Sequence, residues 1–162
     1  MGIPERSRER VEEYIAGLEA THGSFPLNQT TVSLPGERYS KVRECERETG
    51  GFVDAYIQVR DSERNVLHVA GNGEADLPGV RVPMAASTES RVCAAVRERT
   101  GIECAIEGVE RATIAGVRNG DHPGCGTLYH VVVVFSARQV AGAPAEDAVW
   151  QQSASSVGVL AK

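Results

Sequence analysis

Residues 77–102 read LPGVRVPMAASTESRVCAAVRERTGI, and the fold turns on how this stretch is read. Leu77-Pro78-Gly79 opens a short loop. Ser87 or Thr88 then supplies a helix N-cap, Glu89 places negative charge in the positively polarised first turn, and Gly101 is the residue type that ends a helix in a left-handed conformation. Val92 and Val96 are four apart with Ala95 beside them, so one face of the helix is apolar and predicts burial.

The same stretch resembles the Nudix box, the loop-helix signature of hydrolases that cleave nucleoside diphosphates linked to another group. The family pattern is G-x5-E-x7-R-E-U-x-E-E-x-G-U, with U aliphatic. The Leu-Pro-Gly opening, Val96, Glu98, Gly101 and Ile102 fall on it without a gap. Several chemical positions differ: Val80 stands for the first glycine and Ala86 for the loop glutamate. Ala94 and Ala95 replace the Arg-Glu pair, and Arg99 replaces the second glutamate of the Glu-Glu pair. The resemblance implies an α/β fold, the Nudix-type α/β/α sandwich with a mixed β-sheet, here carrying an N-terminal helical extension. It covers about Phe52 to Trp150, giving an extension at 1–50, a Nudix-like domain at 51–150 and a short C-terminal tail at 151–162.

Hydrolysis of a pyrophosphate requires a divalent ion, Mg²⁺ or Mn²⁺, to neutralise phosphate charge and orient water. Mg²⁺ takes hard oxygen ligands, usually carboxylates with water and substrate oxygens. In the family these ligands are glutamates one turn apart, at the positions of Ala95, Glu98 and Arg99. Spacings of three and four put those positions on one helix face, which here offers a methyl, a carboxylate and a guanidinium. A fixed positive charge ~4 Å from a cation is worth about 4 kcal/mol per unit charge at a surface-like dielectric. The expectation is a Nudix-fold protein with impaired or lost pyrophosphohydrolase activity; the alternative is a non-catalytic nucleotide-binding or protein-interaction module. The residues the resemblance marks are Glu98 as metal ligand and catalytic group and Glu146 as a second catalytic acid; with the other ligands replaced, Arg81 and Arg99 are candidates to bind phosphate directly, Arg99 in place of the ion, and Gly79 joins them as substrate-binding. A relocated metal site would join Glu98 to Glu146 or Asp147. Glu98 and Arg99 otherwise read as solvated charges paired with Arg91 or Glu103.

Composition sets the remaining bounds. At 162 residues and 41% hydrophobic the chain suffices for one domain with a core. A net charge of −5 argues against a nucleic-acid partner, and the longest apolar run, Val131 to Phe135, is too short to span a bilayer. The cysteines Cys45, Cys93, Cys104 and Cys125 form no C-x-x-C pair and read as reduced, so a cytoplasmic protein is expected. The partner implied is a nucleoside diphosphate derivative, with a homodimer possible through the face from Val11 to Leu18.

Along the chain, helices are predicted from Pro4 to about Ala20 (Val11, Tyr14, Ile15 and Leu18 at helical spacing) and from Gly36 to Thr49 with Tyr39, Val42 and Cys45 inward. Ser24 to Pro35 reads as extended. Strands are predicted at 52–60, 66–70, 103–117 and 127–137, with Gly142 to Pro144 as a breaker. His122, Cys125 and His130 lie close in sequence but match no closed zinc spacing. His68 reads as a satisfied strand histidine, and Cys93 as a small apolar residue without a partner base.

Overall fold

The computed structural model describes residues 2–69, 76–145 and 148–152. Its elements are helix α1 (Ile3–His22), strand β1 (Leu27–Leu34), helix α2 (Gly36–Thr49), β2 (Phe52–Arg60), β3 (Asn65–Val69) and β4 (Gly79–Pro83). Helix α3 (Thr88–Thr100), β5 (Glu103–Asn119), a 3-10 turn at Pro123–Cys125, β6 (Thr127–Ala141) and β7 (Ala148–Gln152) complete the order. The described strands form an open mixed sheet in the order β1-β5-β6-β2-β3-β7, with β4 paired to β2. β1 runs parallel to β5, while β2 with β3 and β3 with β7 are antiparallel. The chain is therefore mixed α/β, as expected. No described helix is long and apolar enough to cross a membrane.

Contact density divides the chain into two compact units, one of Met1–Asp54, Arg81–Thr88 and Val109–Val133, the other of Ala55–Val80, Glu89–Gly108 and Val134–Lys162. In the first, α1 buries Val11, Ile15 and Leu18. The Ser7 hydroxyl, fully buried, accepts the Tyr129 N–H at 3.0 Å and donates to the Pro4 carbonyl, tying the helix to β6. The apolar face from Val11 to Leu18 is thus buried within the chain. α2 inserts Tyr39 against Val117 and Leu128, its hydroxyl donating to the carbonyls of Cys125 and Gly126.

In the second unit, Val92 and Val96 of α3 are fully buried, as their spacing predicts. Val66, Leu77 and Val134 pack together beside Tyr56. Gly79 has no room for a side chain: a Cβ there would lie 2.5 Å from the Tyr56 ring and 2.9 Å from the Ala55 carbonyl. Gly101 and Gly142 meet where α3 ends, both at positive φ (80° and 97°), with a Cβ on Gly142 placed 2.1 Å from the Gly101 carbonyl oxygen.

Candidate functional site

Residues 77–101 form the expected loop and helix, with one addition. Residues 79–83 are a strand, not loop, because the Ile57 N–H donates to the Pro78 carbonyl and the Met84 N–H to the Gly51 carbonyl, holding each end of the segment beside β2. Met84 to Ala86 turns, the Ala86 N–H bonding back to Pro83, and α3 starts at Thr88. The turn is anchored in the first unit by the Tyr14 hydroxyl, which donates to Thr88 Oγ1 at 2.8 Å. Gly101 ends the helix, its N–H reaching the Arg97 carbonyl.

On α3, the last turn presents Arg97, Glu98 and Arg99 to solvent, while Ala94 and Ala95 are half-buried. Glu98 is the one carboxylate among these five positions, and a guanidinium stands on each side of it in sequence. Among the described residues no three His, Cys, Asp or Glu side chains converge as a metal would need. Positions 94, 95, 97, 98 and 99 together offer one carboxylate, whereas Mg²⁺ takes several hard oxygens. Glu146 and Asp147 lie outside the described residues.

Arg81 is in the first unit, engaged with its own chain. Its Nε and Nη2 donate to Asp54 Oδ1 and Oδ2 at 2.7 and 3.1 Å, a two-pronged pairing that raises its pKa. The guanidinium also lies over the Phe52 ring, 4.2 Å from its centre. His130 stacks on Phe52 at 4.7 Å between ring centres, with Nε2 3.7 Å from Asp54 Oδ2. Burial holds the His130 pKa below its usual value; Asp54 opposes that shift and Arg81 adds to it. Phe52 and Asp54 are two apart on β2 and so share a face, with Arg81 brought by β4 and His130 by β6. The sequence reading missed this cluster because its members come from three strands. The alternating Phe52, Asp54 on an otherwise apolar strand was the legible part.

A second feature of the first unit is a cleft of about 370 Å³ lined by Arg10, Glu13, Tyr14, Gly50, Met84 and Ala85. Beside it the Arg10 Nη1 donates to Glu46 Oε2 at 3.2 Å. Glu46 is 1% exposed, and burial raises its pKa despite the arginine. Glu46 lies seven residues, two helical turns, after the buried Tyr39 and so on the same face, whereas the sequence reading turned Cys45 inward.

In the second unit the Cys104 thiol donates to Cys93 Sγ at 3.8 Å. Burial, with Cys93 adding to it, pushes the Cys104 thiol up to about 12, and burial also raises Cys93. Two thiols held protonated are poor nucleophiles, consistent with an apolar role for Cys93. His68 is buried with Nδ1 3.0 Å from the Val66 carbonyl. His122 and Cys125 are exposed, and His130 belongs to the Phe52 stack.

No family model and no curated protein matches the chain. Among solved structures it is similar to a Sinorhizobium meliloti 1021 protein provisionally named an oxidoreductase (18% identity, TM-score 0.44, 74% of this chain and 36% of that one). It is similar to a UDP-X diphosphatase at 18% identity and a TM-score of 0.46, over 70% of this chain and 59% of that one. The NUDIX domain of Shewanella oneidensis NrtR, in complex with ADP ribose, is similar at 16% identity and a TM-score of 0.39, over 91% of this chain and 86% of that one. The chain thus spans about a third and about three fifths of the first two.

Proposed function

We propose that this is a Nudix-related domain whose metal-dependent cleavage of nucleoside diphosphate derivatives is impaired or lost. The observation that supports this reading is the solvent-facing last turn of α3, where Glu98 is flanked by Arg97 and Arg99. Val92 and Val96 are buried and Gly101 ends the helix at positive φ, while positions 95, 98 and 99 carry one carboxylate, Glu98. Glu98 is the residue left to serve a metal, with Glu146 as the second acid. Arg81 and Arg99 are the two arginines assigned to phosphate, and one donor edge of Arg81 is on Asp54. Gly79 is the third residue assigned to the substrate.

The test is an assay of ADP-ribose and nucleoside diphosphate sugars with Mg²⁺ and with Mn²⁺. Turnover at the level of the uncatalysed blank, unchanged by Glu98→Gln, is expected. Rapid turnover abolished by Glu98→Gln would overturn the proposal. Calorimetric titration with ADP-ribose in the absence of metal then tests the binding role: heat of binding that disappears in Arg99→Ala identifies a nucleotide-binding module, and no heat identifies a domain that does not take this ligand.

A further inference from the structure

β1 is a sheet edge with an unusual make-up. Among the described residues it has a neighbouring strand on one side only, β5. Every residue from Leu27 to Ser33 is exposed, including Leu27 at 44% and Val32 at 48%. The strand LNQTTVSL carries no charge in a chain that is 24% charged. Exposed edges are normally protected by a charged side chain, a proline within the strand or a bulge. β1 has none of these: it keeps continuous register with β5 from Leu27↔Ala112 to Leu34↔Asn119, and Pro26 and Pro35 lie just outside it.

The direction of its backbone groups follows from two bonds. The Pro26 carbonyl accepts the Ala112 N–H and the Leu34 carbonyl accepts the Gly120 N–H. In a parallel ladder a residue points both its N–H and its C=O to the same side. Even-numbered residues therefore face β5, and Leu27, Gln29, Thr31 and Ser33 aim their N–H and C=O groups outward.

We propose that this edge pairs antiparallel with β1 of a second copy, about a two-fold axis through Thr30. Antiparallel partners must both be outward-facing or both not, so the axis falls on a residue, never between two. Centring on Thr30 sets Leu27 opposite Ser33 and Gln29 opposite Thr31 of the other copy, and every outward group is used. Centring on Thr31 instead would set Leu27 opposite Pro35, which has no N–H to give. At the chosen axis the two Thr30 side chains face each other in a non-hydrogen-bonded pair, where Cα atoms approach to ~4.5 Å and threonines pair favourably. A two-fold contact must be self-complementary, and an uncharged strand brings no like charges together.

Sedimentation equilibrium of the full chain across the micromolar range should give twice the 17.3 kDa chain mass. Thr30→Lys, which places two ammonium groups face to face at an exposed position, should sediment as a monomer with its melting temperature, read at concentrations where both forms are monomeric, unchanged. Thr30→Cys should form a 30–30 disulfide under mild oxidation, since ~4.5 Å between Cα atoms lies within the range a disulfide spans. Asn28→Cys should form none with its own copy, because it faces Val32. A monomeric wild type, or a dimer in which Thr30→Cys fails to cross-link and Thr30→Lys has no effect, would overturn the proposal.

Discussion

Glu46, buried, and His130, half-buried, are ionisable groups whose pKa shifts have opposite signs. Glu46 has Oε2 on Arg10 and a buried Oε1 with no hydrogen-bond partner among the described residues. Its folded pKa is raised above the ordinary 4.5, so the fold holds that proton more tightly than the unfolded chain does. The stability it lends is complete at acid pH and lost as pH rises from 4.5 through the folded value. Removing its cation should sharpen this: Arg10→Met is expected to cost about 2 kcal/mol at pH 7, discounted from a fully buried pair because Arg10 is half-exposed. The cost should vanish at acid pH, and Glu46→Gln should be at least as stable as wild type at pH 7. Denaturant titrations across pH measure all three. His130 runs the other way. Its folded pKa lies below the usual 6.5, so stability is lost as pH falls from 6.5 through the folded value. His130→Asn should abolish that acid limb in the same titrations; a limb that persists assigns it to another group. Both residues were visible as letters, but their burial was not, because Arg10 and Phe52 reach them from other elements.

Among the elements, the two glycines at the end of α3 are the least replaceable. Gly142→Ala combines a positive φ with a Cβ 2.1 Å from the Gly101 carbonyl oxygen, and should cost about 3 kcal/mol or more, since the strained backbone alone costs ~1–3. Gly17, inside α1, is the opposite case: a Cβ there meets nothing within 4 Å. Gly17→Ala should stabilise the chain by ~0.5–1 kcal/mol. Thermal melts of the two variants should move in opposite directions. Most elements were legible, α2 and β2 to the residue, because each carries its own period and its own stop. β4 was read as loop, since five residues ending in proline carry little periodicity and only pairing with β2 makes them a strand. β5 and β6 run beyond the predicted ends to Asn119 and Ala141, and at Asn119 the parallel partner β1 extends the ladder through polar residues.

For the whole molecule, the metal question can be put without an activity assay. An ion bound at a hundred times its dissociation constant adds ~2.7 kcal/mol, or roughly 5–10 °C for a chain of this size. We expect excess Mg²⁺ to move the melting temperature by less than about 1 °C; a rise of several degrees, lost in Glu98→Gln, would restore a metal site to the box. The sequence by itself determined the periodic elements and the loop-to-helix run that ends at Gly101, because spacing and residue type are local properties. Only the tertiary structure decided which groups meet: Arg81 on Asp54 and Phe52, Glu46 beneath Arg10, the α1 face closed within the chain, and the uncharged β1 left at an edge. These depend on strands far apart in the chain lying side by side, and a hydrogen bond or an ion pair exists only where two such segments come within a few ångströms.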